Sequence, residues 1–578
     1  MPNTIRYLFS LKNALQNFVD ITVSFPVKAS TVVIKLPAWR PGRYELGNFS
    51  KNIRNLRAYD EKEALLQTKK IDRNTWEISN IQGRKIQIHY EYYANELNAG
   101  STFTDGTFLY VNPVNCALYT EETSQLNCIV ELDIPKTWEI AGVSCIQRKF
   151  SCENFDKLSD SPFIASPDLS KNHFKIGKVE FTIWFHRQLN IPWKKVISDF
   201  SIFSTHLINE FGNFPTNRFE FIVLSLPYTA YHGVEHLEST IITLGPSYDI
   251  FSTLYNELLG VSCHELYHVW NVKTIRPEEI FPYDFSKENY SQLGFIYEGI
   301  TTYFGDLYLL KSGVFNLNQY LIELGEQFQK HADNFGRLNY SLADSSIDTW
   351  VDGYSSGIPN RKVSIYTEGC LLALWLDHKI LTATDNSCNL QSVMTLLYRN
   401  FGVKKKGISL NIFISTLQEI AGDSFIEEFK FYITNPTDFI PILTSTLNGL
   451  GLELLVQEGN ASEKHLGIKG VNSLNGYLIT HVHPNGTAQK IGLNVNDEIL
   501  SINGNKLKGD LNQWLLYYNN FEINLNVQRN GMILVFKISR FSKNGFDKYS
   551  IQRQNSITSE QENRFNSWSG ISKEKSLF

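Results

Sequence analysis

Residues 262–270 read SCHELYHVW, which sets His264 and His268 four positions apart with Glu265 beside the first. On a helix, positions i and i+4 share a face, so the two imidazoles can offer nitrogens to one metal ion. Glu265 lies about 100° around such a helix from His264, close enough to reach an attacking water without being a ligand. Metal-assisted hydrolysis needs that set: zinc lowers the pKa of a water to about 7, and a carboxylate takes its proton as it attacks a carbonyl. The neighbours Leu258, Leu259, Val261, Val269 and Trp270 are apolar, so burying two histidines and a glutamate among them is costly unless something coordinates or pairs them.

A catalytic zinc takes three protein ligands and keeps one position open, so a third ligand is expected downstream. The candidates are Glu278, Glu279, Asp284, Glu288 and Glu298, of which Glu298 sits in a helix-forming stretch with Leu293, Ile296, Tyr297, Ile300, Phe304 and Leu307 on its core face. Gly294, Thr301, Thr302 and Gly305 flank it at helical spacing, and small neighbours let two helices approach closely. Thr302, one turn on, is expected to orient a histidine through its hydroxyl. One Zn2+ per chain follows, held by His264, His268 and Glu298, with Glu265 as general base.

The elements that must position these residues fall into blocks. At 578 residues the chain has room for several domains. From residue 1 to 186, short β-branched and aromatic runs such as FVDITVSFPV, KIQIHYEYYA and VEFTIWFH predict a β-rich sandwich. Residues 187–445 carry helical periodicity around the HELYH motif, and 446–541 return to β texture with an RNG turn between two alternating runs. Residues 542–578, rich in Ser, Asn, Lys and Gln, read as a disordered tail. The 54 basic and 59 acidic residues leave a net charge of -5 with no basic stripe, which excludes nucleic acid as an expected partner. Seven scattered cysteines without a CxxC pair fit reduced thiols better than a disulfide framework. No signal-peptide core or membrane span is visible, so the expected location is cytoplasmic.

HELYHVWN followed by YEGITTYFGDL resembles the gluzincin zinc peptidases, and more closely the glycyl aminopeptidase family whose members carry a C-terminal PDZ domain. LPAWRPGRYELGNFSKNIRNLRAYD, NTWEI, YEYYANEL and LSDSPF match recurring phrases of that family in the N-terminal domain. The resemblance implies a multidomain α+β protein: an N-terminal β-sandwich, a thermolysin-like, mainly helical zinc peptidase domain and a C-terminal PDZ domain. HGVEH at 232–236 resembles the exopeptidase loop of aminopeptidases, which gives Glu235 the substrate's free α-amine and Gly233 the close backbone approach. SIYTEG at 364–369 stands where the family has SYYxKG; Tyr366 matches the oxyanion-stabilising tyrosine, while Ile365 and Glu368 depart from the pattern.

GYLITHVHPNGTAQKIGLNVNDEILSINGNKL resembles PDZ domains, and Leu466, Gly467 and Ile468 resemble the loop whose N–H groups cradle a peptide carboxylate. The expected function is zinc-dependent removal of N-terminal Gly or Ala from peptides with a free N-terminus, with a peptide C-terminus as a possible PDZ ligand. Two alternatives stand beside it: a PDZ-mediated scaffold with a weak or inactive peptidase domain, and a zinc hydrolase of another substrate class.

Overall fold

The computed structural model describes residues 4–81, 85–353 and 357–571. The N-terminal domain is built on a six-stranded sheet in the order Lys149–Cys152, Asn127–Asp133, Thr4–Ser10, Phe18–Pro26, Lys85–Tyr93, Ile53–Tyr59. Alternation decides its inner face: Ile5, Tyr7 and Phe9 are buried while Arg6 and Leu8 face out. A three-stranded sheet (Val32–Lys35, Thr75–Ser79, Gln67–Lys70) shares its core through Ile34, Trp76 and Ile78. The expected β-sandwich character is therefore present.

Its boundary lies earlier than the sequence texture places it. Leu169–Ile176 and Val179–His186 belong to a five-stranded sheet continued by Arg218–Ser225, Ser239–Gly245 and the edge strand Ala230–Glu235. Val179–His186 runs parallel to Arg218–Ser225, with the helix Trp193–Phe211 as the crossover between them. Strand texture alone does not say which sheet a strand joins, so VEFTIWFH falls on the wrong side of a boundary drawn at 186.

Below this sheet the helices gather around one apolar core. The motif helix Tyr255–Tyr267 carries HELYH, a returning helix Thr301–Ser312 packs on it, and Leu317–Asp333 and Ile365–Ala383 complete the walls. Gly305 makes the first packing possible: a β-carbon there would lie 3.2 Å from His264 Cα. Gly294 serves another contact, against Ser346 and Ile365.

The PDZ unit has the sheet order Ile468–Asn472, Tyr477–Val482, Glu498–Ile502, Ile523–Arg529, Met532–Ile538. The RNG turn closes its last hairpin with Asn530 and Gly531 at φ 49° and 79°, as a primed turn requires. The stretch expected to be a disordered tail is ordered through residue 571. Asp547–Arg553 pairs antiparallel with Leu452–Glu458, and the helix Ser559–Ser569 buries Phe565 and Trp568 against the peptidase core. The remainder of that tail, 572–578, lies outside the described residues. All seven cysteines are free. Among the described residues no helix is long and apolar enough to cross a membrane.

Candidate metallopeptidase site

The motif helix ends at Tyr267, with His268 as its C-cap, so both histidines project from the last turn. Their Nε2 atoms lie 3.0 Å apart, and Glu298 Oε2 lies 3.4 Å from His268 Nε2 and 3.9 Å from His264 Nε2. Donors about 2 Å from a common tetrahedral ion stand about 3.3 Å from one another, so this triangle fits zinc.

Proton positions support the same fit. His268 Nδ1 faces the Asn271 carbonyl at 2.9 Å, which makes Nδ1 the donor and turns the Nε2 lone pair inward. Burial opposes charge on His268, yet Glu298, with Glu235 and Glu265 beyond it, outweighs burial and raises the pKa of the ring to about 10, a pull that a cation at Nε2 would satisfy in place of a proton. Burial and that neighbour drive His264 the other way, well below the usual histidine range. The cluster thus calls for positive charge at the point where the three donors converge.

Glu298 lies in a π-helical turn, Phe295–Ile300, that leads into the returning helix. Its other oxygen accepts from Tyr44 Oη at 3.1 Å, a hydrogen bond that reaches across from the N-terminal domain. Thr302, expected to orient a histidine, donates instead to the Glu298 carbonyl at 2.9 Å, because a threonine inside a helix bonds back one turn. Asn271 does the orienting: its carbonyl holds His268 while its amide donates to Ile296 O at 2.8 Å and Thr301 Oγ1 at 2.9 Å.

Glu265 faces the same cavity and is almost fully buried. Burial raises its carboxyl well above the usual range; His268 tempers the shift, and Glu235 and Glu298 add to it. HGVEH is an edge strand rather than a loop: Gly233 pairs with Ile242 and Glu235 with Thr240. A β-carbon on Gly233 would collide with the Glu265 carboxylate, so that glycine brings the strand against the base. Glu235, Glu265 and His268 form a second tight group beside the ligand triangle. Among the described residues, Glu235 Oε1 and Glu265 Oε2 are buried without a hydrogen-bond partner. Gly42, at φ +76°, touches Glu235 from the N-terminal domain, and no side chain fits there.

These groups line one cavity of about 640 Å³ together with Tyr366 at the start of its helix. Beyond the donors its wall is acidic, with Glu257, Asp306, Glu323 and Glu326 against Lys330. Burial and Glu323 raise Asp306 to about 7. Glu368, where the resembling pattern has lysine, points away into a buried pair with His331 Nδ1 at 2.8 Å. In the PDZ unit, Leu466 and Ile468 are fully buried and Gly467 is left-handed, its N–H donating to Ser462 O and its carbonyl accepting from His483 N. The return chain crosses this loop where Phe546 N donates to Glu463 O at 3.0 Å.

Two histidines and a glutamate converge beside the buried carboxylate of Glu265 between a mixed sheet and a helical core, an arrangement that fits a metallopeptidase. Its family features follow from the sequence matches. The Peptidase M61 N-terminal domain model matches residues 6–167, the M61 glycyl aminopeptidase model 257–372 and the PDZ domain model 445–509. A crystal structure of an aminopeptidase N family protein from Idiomarina loihiensis superposes with a TM-score of 0.91 at 23% identity, covering 98% of this chain and 99% of that one, and shares the fold. An M1 zinc metallopeptidase from Deinococcus radiodurans gives a TM-score of 0.47 at 12% identity over 75% of this chain and 94% of that one. No curated protein sequence matches the chain.

Proposed function

We propose that the protein is a zinc-dependent aminopeptidase that removes small N-terminal residues, Gly or Ala, from peptides. The observation that carries this reading is Glu235, a buried carboxylate with an unpartnered oxygen set beside Glu265 and His268 and closed off by the Gly42 turn. An ammonium paired with a carboxylate in such a pocket fixes the end of a peptide and selects free N-termini. The glycine preference follows the description of the matching peptidase model, and alanine is included as the next larger side chain.

His264, His268 and Glu298 would hold the zinc, which when bound lowers the pKa of a water and polarises the scissile carbonyl. Glu265 takes the proton of the attacking water and returns it to the leaving amine; its raised affinity for a proton suits both steps. Tyr366, on the cavity wall, donates to the oxyanion of the tetrahedral state. The side of the strand Ala230–Glu235 away from Ser239–Gly245, which no strand covers among the described residues, offers backbone groups to the substrate chain.

The test is a panel of Gly, Ala, Leu and Arg arylamides with N-acetylated controls. Gly and Ala substrates are expected to turn over and the blocked ones not to. Glu265→Gln is expected to lower kcat by about 10²–10⁴-fold while the protein still carries one zinc. Chelation should abolish activity and zinc restore it. Equal turnover by Glu265→Gln would sink the mechanism, and cleavage of blocked substrates would remove Glu235 from its role.

A further inference from the structure

A second and larger cavity, about 1010 Å³, lies between the peptidase domain and the PDZ unit. Lys330 lines both this cleft and the catalytic cavity. The helix Leu317–Asp333 is what they have in common: Glu323, Glu326, Gln327 and Lys330 face the catalytic cavity, and Lys330, Asp333 and the following Asn334 face the cleft. Spacings of three and four residues put all of them on one helix face, so a single paved surface leads from the zinc-ligand cluster to the PDZ unit.

The direction of a bound peptide is set by its ends. The amine anchor Glu235 lies at the His268 end of the motif helix. Gly260, midway along that helix and about two turns before His268, faces Asp306, whose carboxylate oxygen would lie 3.4 Å from a β-carbon there. Asp306 in turn is influenced by Glu323, Lys330 and Glu326 of the wall helix. The chain beyond the scissile bond therefore heads toward Lys330.

We infer that the cleft between the peptidase domain and the PDZ unit is the distal part of the substrate site, holding the downstream residues of an extended peptide by its main chain. This rests on the aminopeptidase reading above. The chemistry of the cleft matches a peptide main chain. Its strong charges are already matched, Asp333 by Lys469 at 2.5 Å and Lys362 by Asp352 at 2.6 Å. The PDZ side adds Thr480, His481 and Asn494, neutral donors and acceptors that read amide groups without demanding one side chain. From Glu323 to Asn334 the surface runs about 16 Å at 1.5 Å per residue, the length of roughly five extended residues. With the residues at the scissile bond added, the full site suits a peptide of about six to eight residues.

The experiment uses the full-length zinc enzyme and a series of peptides with N-terminal alanine followed by a uniform Gly/Ser sequence, two to ten residues long. Released alanine is measured beside turnover of alanine arylamide. KM is expected to fall at least tenfold between the dipeptide and the octapeptide and then level off. Thr480→Trp and, separately, Asn494→Trp, both exposed on the PDZ side, are expected to remove that gain while leaving arylamide turnover unchanged, which also shows that the variants fold. A KM that does not improve beyond three residues overturns the inference, as does a length gain that both tryptophan variants keep. Arylamide turnover with no length effect defeats this inference alone; absence of turnover on any substrate defeats the aminopeptidase reading.

Discussion

At the scale of single residues, the site depends on groups that no local pattern reveals. His264, Glu265 and His268 are legible because their chemistry is written in one helical period. Tyr44, which donates to Glu298, and Asn271, which orients His268, are not, because their partners come from other elements. The signal that could have found Tyr44 is the phrase LPAWRPGRYELG, which puts Gly42 on Glu235 and Tyr44 on Glu298 within three residues. The turn after the motif is strained: Val272, a β-branched residue, sits at φ 104° directly after the carbonyl that holds His268. Tyr44→Phe tests the coupling. The ring keeps its place against Tyr297, 5.1 Å between centroids, but Glu298 loses its donor. Zinc affinity measured by competition with a chelator is expected to drop about 10–100-fold, with the zinc-saturated enzyme retaining most of its kcat. An unchanged affinity would show that the hydrogen bond does not tune the ligand.

At the scale of elements, the two phrases YEG and TEG explain each other. A β-carbon on Gly299 would collide with the backbone of Gly369, and one on Gly369 with Gly299 and the Phe295 carbonyl, so the π-turn carrying Glu298 lies directly on the helix carrying Tyr366. Sequence spacing shows that small residues surround Glu298 but not which helix each admits, since that depends on crossing angles set by the whole core. Glu368, beside this crossing, has a partner that sequence could not supply. His331, fully buried on the wall helix, carries Glu368 on Nδ1, while Nε2 faces both Asp438 Oδ1 at 3.3 Å and the Phe439 N–H at 3.1 Å. Burial disfavours the imidazolium, Arg337 opposes it and the Phe439 N–H favours a bare Nε2, but the two carboxylates prevail and raise the pKa of His331 to about 9, the charged ring giving up the Phe439 hydrogen bond for Asp438. Because the folded pKa exceeds the unfolded one of about 6.5, the stabilisation is complete below pH 6.5 and fades as pH rises through 9, by at most about 3 kcal/mol. Urea denaturation should show a loss of stability between pH 6 and 9.5 that Glu368→Gln reduces. A variant with the same pH slope as wild type would remove this pair as its source.

At the scale of the whole molecule, the domains are tied together by the residues that form the site. Asp160, in the N-terminal phrase LSDSPF, accepts from Lys273 at 2.7 Å just after the zinc motif and meets His236 of HGVEH at 3.0 Å. The PDZ unit is likewise inserted into the peptidase domain rather than appended: the chain enters through Leu452–Glu458, leaves through its partner Asp547–Arg553, and returns as the helix Ser559–Ser569. Composition hides that return. The helix is SEQENRFNSWS, polar except for two aromatics, and those two supply the buried face. Trp568 is fully buried, donates to Tyr303 Oη at 2.8 Å, and Tyr303 donates to Asp377 at 2.6 Å between the returning helix and the helix of Tyr366. Trp568→Ala therefore removes a large core side chain and leaves the Tyr303 oxygen without its donor, a cost of about 3–5 kcal/mol. Since Tyr303 follows Glu298 on the same helical run, thermal unfolding and zinc loss are expected to shift together to lower temperature in this variant. If the midpoint of unfolding stays at the wild-type value, the last helix is a surface appendage, and the insertion of the PDZ unit has no bearing on the stability of the peptidase domain.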